Sequence, residues 1–157
     1  MITIEEIIYL LVSSLVVSLI FSPELKWDII KEQFIIAFLS IGLHELFHKI
    51  TALALGYNAY ITVNWFGLLI GLFLRLIDFP IIFFVPAMVV IPYITNPLHY
   101  SLIAVAGPLA NLLLYIIFRD SPIGYMNFYL FILNMLPLPG LDGFKFLVGL
   151  IQYLNQL

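Results

Sequence analysis

The chain has 157 residues, 64% of them hydrophobic and only 10% charged, with a mean hydropathy of +1.15. Soluble domains run at about 45–50% apolar and about 25% charged residues, so this composition excludes an ordinary soluble domain and points to the lipid bilayer. A net charge of −3 without a basic run offers nothing to nucleic acid, and the absence of cysteine removes disulfides, thiolate metal sites and a cysteine nucleophile.

The sequence opens MITIEEIIYLLVSSLVVSLIF. Glu5 and Glu6 stand where a secretory signal would carry positive charge, and no small-residue cleavage site follows, so a retained first span is expected over about 4–21. SPELKWDIIKEQ, residues 22–33, is the most polar stretch and predicts an exposed loop or interfacial turn, with Trp27 suited to the membrane–water interface. A second span follows over about 34–55, closed by Gly56 as a helix C-terminal glycine would close it.

Residues 57–96 mix strand-forming residues at 57–66 and 81–94 with Asn58, Asn64, Arg75, Asp78 and the prolines 80, 86 and 92. They predict short strands around a re-entrant or partly helical piece near 68–77. An open sheet edge cannot face lipid, so such strands must line a cavity, pair together or lie at the interface. A third span is expected over about 99–118. A fourth covers about 124–154, broken at 137–142 by Pro137, Pro139 and Gly140.

The fold class is therefore a mainly α-helical membrane protein, about four transmembrane helices plus a strand-rich or re-entrant segment, forming one domain over 1–157. Orientation is not set by charge: Lys26, Lys31 and Arg119 fall to one side and Arg75 and Lys145 to the other.

His44, Glu45 and His48 form H-E-x-x-H inside the second span. Residues four apart lie one above the other on a helix, so both imidazoles can reach one ion and Glu45 can reach a water beside it. Zinc would polarise a scissile carbonyl and acidify that water, and Glu45 would carry the proton to the leaving amine. The alternative, interior polar residues satisfied by neighbours, is weakened by the setting, because ionisable residues within a span are costly and mark function.

A catalytic zinc needs a third protein ligand and an open position. His99 and the carboxylates Glu5, Glu6, Glu24, Asp28, Glu32, Asp78, Asp120 and Asp142 are the candidates. Most carboxylates flank spans, where solvent can hold them. Asp142 lies in a polar interruption of an apolar segment, so it ranks first and His99 second.

HELFH (44–48), AGPLAN (106–111) and NMLPLPGLDG (134–143), in this order, resemble the site-2 protease family of intramembrane zinc metalloproteases over about 34–150. The resemblance implies a compact prokaryotic-type core without PDZ or nucleotide-sensing (CBS) domains and one Zn2+ held by His44, His48 and Asp142. Glu45 is then the base and Asn134 the group that binds the substrate carbonyl. It further implies an integral, multi-pass protein of a prokaryotic cell membrane, with the zinc nearer the cytoplasmic side, acting on transmembrane protein substrates. A strand near Tyr60–Asn64 is the expected edge for an unwound substrate to join. Gly107 and Pro108 read as helix packing near the start of a span, and Asn111 as an amide hydrogen-bonded between helices or beside the site. The competing class is a non-catalytic metal-binding, transport or scaffold protein on the same helices; it would need ligands but not Glu45.

Overall fold

Thr3 and Glu6 form a reciprocal capping box that starts helix α1, Ile4–Phe21. The structure, a computed structural model, describes residues 2–79 and 85–157. The other elements are α2 (Trp27–Ala54), β1 (Tyr60–Val63), α3 (Trp65–Leu76), β2 (Ala87–Val90), α4 (Pro97–Ile117), α5 (Pro122–Asn134) and α6 (Asp142–Leu154). Of these, α1, α2 and α4 are long and apolar enough to cross a membrane.

One expectation needs correction. The polar stretch 22–33 is not all loop: α2 begins at Trp27, because lysine, glutamate and glutamine extend a helix well although they are not apolar. At 28 residues α2 is about 42 Å long, more than the ~30 Å hydrocarbon layer, so its polar first turns can lie outside it. The fourth segment is broken as expected: α5 ends at Asn134 and α6 begins at Asp142, 13 residues each, and each alone falls short of the ~20 residues a crossing needs. Three helices among the described residues are of membrane length.

The segment 57–96 divides as its composition suggests. β1 and β2 pair antiparallel, Tyr60 opposite Val90 and Val63 opposite Ala87. Between them, the Asn64 side chain caps α3 by accepting from the Gly67 amide at 2.9 Å. α3 has 12 residues and leaves Trp65, Phe66, Leu69 and Phe73 exposed, a short helix with an outward apolar face. The strand expected over 81–94 is seen as β2, while its part at 81–84 lies outside the described residues.

The apolar core joins α1, α2, the sheet and α3 through Leu10, Val17, Ala37, Ile41, Ile61, Val63, Leu68 and Ala87. α4 packs against α2, α5 and α6. This second half is held by polar as well as apolar contacts, and the chemistry lies there.

Candidate metal centre

Helix α2 buries His44, Glu45 and His48 together. Opposite them, α4 presents Ile103, Gly107 and Asn111, again four residues apart and so on one stripe. His44 Nδ1 donates to Asn111 Oδ1 at 2.5 Å, and His48 Nδ1 donates to the Ile103 carbonyl at 2.6 Å. The two helices meet in opposite order, 44 with 111 and 48 with 103. Gly107 lies between these contacts, where a Cβ would strike the His48 Nε2 and come within 2.7 Å of the His44 Nε2. AGPLAN thus sits mid-helix, with Pro108 inside α4 rather than at its start, and its glycine keeps open the space over the imidazoles.

Asp142 enters from the first turn of α6. Its neighbour Gly143 lets that helix abut the end of α5, since a Cβ there would meet the Met135 backbone and lie 2.8 Å from the Leu136 carbonyl oxygen. Asp142 Oδ2 then stands 3.2 Å from His44 Nε2 and 3.1 Å from His48 Nε2, and the two Nε2 atoms are 3.0 Å apart. All three side chains are buried.

The hydrogen-bond roles decide what this triangle is. With each Nδ1 donating, each neutral imidazole turns a lone pair from Nε2 toward the other and toward a carboxylate oxygen. Three acceptors converge with no donor among them, so a proton or a metal cation must lie between. A tetrahedral ion with bonds of about 2.0–2.1 Å holds its ligand atoms about 3.3 Å apart. Separations of 3.0 to 3.2 Å fit one face of such a site. The other Asp142 oxygen, Oδ1, accepts from Lys145 Nζ at 2.9 Å, so a single oxygen is turned to the triangle.

The cluster opens on a cavity of about 170 Å³ whose lining includes Glu45, Asn134 and Lys145. Val85 to Val89 form much of its other wall. β2, not β1, is therefore the strand at the cluster. Asn134, the last residue of α5, lines the cavity while its Nδ2 donates to the Leu130 carbonyl at 3.1 Å. His99 is not brought to the two histidines; its Nδ1 meets the Tyr57 hydroxyl at 2.9 Å. Glu6, expected near solvent, is buried in α1 against Lys49.

Asn111, expected to hydrogen-bond between helices or beside the site, does both, through Ser40, Asn127 and His44. Sequence reasoning missed one residue here. Lys145 follows Asp142 by three residues, one turn of helix, a spacing that could have identified it.

The chain is 34% identical to a protein of Methanocaldococcus jannaschii named "putative zinc metalloprotease", over 91% of this chain and 83% of that protein. No family model and no solved structure matches the chain.

Proposed function

The chain belongs to the family of that Methanocaldococcus jannaschii protein, and on this premise we propose that it is a zinc metalloendopeptidase of the site-2 protease type. It hydrolyses a peptide bond in or near a transmembrane segment of a membrane-protein substrate. The observation that carries this reading is the triangle of three acceptors at His44, His48 and Asp142 with Glu45 beside it. These three residues are the metal ligands, one Zn2+ per chain. When bound, zinc supplies Lewis acidity to a water and to the scissile carbonyl.

The remaining steps belong to the chain. Glu45 is not one of the three ligands and lines the same cavity, so it takes the proton of the attacking water and returns it to the leaving amine. Asn134 turns its amide from the Leu130 carbonyl into the cavity and donates to the carbonyl oxygen as negative charge develops there. Lys145 donates to Asp142 Oδ1, so Oδ2 is the carboxylate oxygen that would hold the ion. The substrate enters extended along β2, the strand lining the cavity. Helices α1, α2 and α4 are long and apolar enough to cross a membrane, which supports a reaction carried out within a prokaryotic cell membrane.

Cleavage of a model membrane substrate by wild type and by Glu45→Gln, with metal measured on both, tests this. We expect one zinc in each protein and cleavage reduced roughly 10²–10⁴-fold in the variant, the range for a general acid–base. Full activity in Glu45→Gln would overturn the mechanism, as would an active wild type without stoichiometric metal. Equal zinc in both with no cleavage by either would favour the non-catalytic metal-binding reading.

A further inference from the structure

Behind His44 lies a chain of buried amides that the proposed chemistry does not use. Asn111 on α4 and Asn127 on α5 are both fully buried, as is Ser40 on α2. Asn127 Nδ2 donates to the Ile123 carbonyl at 2.8 Å and to Ser40 Oγ at 2.8 Å. Asn111 Nδ2 donates to Asn127 Oδ1 at 2.7 Å and to the Ser40 carbonyl at 3.2 Å. Asn111 Oδ1 then faces His44 Nδ1.

The direction of this chain is forced from its far end. A backbone carbonyl can only accept, so Ile123 compels Asn127 to turn its NH2 inward along α5 and its oxygen toward Asn111. That oxygen and the Ser40 carbonyl compel Asn111 to turn its NH2 away from His44. Asn111 therefore shows His44 an oxygen, and His44 must carry its proton on Nδ1. Reversing either amide would set oxygen against oxygen at a fully buried position. His48 needs no such relay, because the Ile103 carbonyl fixes its tautomer directly.

We propose that Asn127, acting through Asn111, is a positioning residue that locks His44 in the Nδ1–H tautomer, so that α5 sets up the metal centre without supplying a ligand. Its consequence for zinc rests on the metalloprotease reading; its consequence for the tautomer does not. Partners that orient a metal-binding histidine are commonly worth ten- to a hundred-fold in affinity.

The test compares Asn127→Leu with Asn127→Asp in the full chain. Leucine keeps the volume but removes the oxygen that Asn111 needs; aspartate keeps an oxygen there in either protonation state. Positioning predicts that Leu lowers zinc affinity about tenfold and gives a mixed His44 tautomer by ¹⁵N NMR of the metal-free protein. Asp is expected to keep the Nδ1–H form and a zinc affinity within roughly threefold of wild type, even with reduced thermal stability. A packing role predicts the reverse order, with Leu neutral and the buried acid harmful, and that order would overturn the proposal. Wild type alone also decides: His44 found without a proton on Nδ1 in the metal-free protein would refute it whether or not the variants fold. Failure of wild type to bind zinc would instead overturn the metalloprotease reading and leave the tautomer result standing.

Discussion

Two buried polar clusters lie against different faces of α2, and consecutive residues, His48 and Lys49, belong one to each. In the first, the Glu6 carboxylate accepts from Lys49 Nζ at 2.5 and 2.6 Å, from the Thr3 amide at 2.7 Å and from the Ile61 amide at 2.8 Å. Donors meet acceptors, and α1, α2 and β1 are tied together. In the second, His44, His48 and Asp142 turn acceptors toward acceptors. Both clusters are buried ionisable groups in apolar helices, a setting usually taken as a sign of function. The difference shows that burial does not separate the two cases. The balance of donors and acceptors does: a cluster closed within itself is a clip, and one short of a cation is a site.

The largest effect should come from closing the open cluster. Asp142→Asn places an amide that can donate to either imidazole across the present 3.1 to 3.2 Å, so the site satisfies itself as the Glu6 cluster does. Loss of a direct ligand should exceed the hundred-fold that supporting partners reach: zinc affinity falls by more than about 10², with cleavage lost. The metal-free variant should melt no lower than metal-free wild type. Wild-type zinc affinity in this variant would remove Asp142 from the site.

Opening the closed cluster is the converse. Lys49→Met leaves the Glu6 carboxylate buried without its counter-charge, a change that typically costs about 3–5 kcal/mol. Chemical unfolding should show that loss, while zinc per folded chain stays at the wild-type value. Adding Glu6→Gln should restore most of it, since a neutral amide tolerates the site. A loss under about 1 kcal/mol would put the pair on the level of an exposed salt bridge and spoil the contrast.

The two clusters were unequally legible in the sequence, for a physical reason. His44, Glu45 and His48 lie within one helical turn, so periodicity alone brings them together. Asp142 announced itself by breaking an apolar run, and α6 does start on it. Glu6 and Lys49 are 43 residues apart in ordinary surroundings, and only the packing of α1 on α2 joins them. The T-x-x-E of the capping box marks the start of α1 but says nothing of Lys49. The relay through Asn127 was hidden in the same way, because that residue stands outside every motif and acts through tertiary contact. Helix ends went wrong where polarity was taken for loop, as at 27–33, while the prolines at 137 and 139 did mark the break between α5 and α6.

Lys145 tests the boundary between the two kinds of cluster and should give the smallest effect. Its Nζ supplies one donor to Asp142 Oδ1, a partial closure that leaves Oδ2 free. Its side chain is 37% exposed, so water screens the interaction and can replace it when the ammonium is removed. Lys145→Met should therefore keep zinc, changing its affinity by less than about tenfold, and slow cleavage by about the same factor, the lower end for a residue that orients a ligand. Lys145→Arg should restore cleavage, since a guanidinium one turn from Asp142 can make the same contact. If Met at this position lowered turnover as far as Glu45→Gln while zinc stayed bound, Lys145 would be acting on the reacting atoms rather than on Asp142. The open cluster would then contain its own cation, and the distinction from the Glu6–Lys49 clip would rest on where that charge stands rather than on its absence.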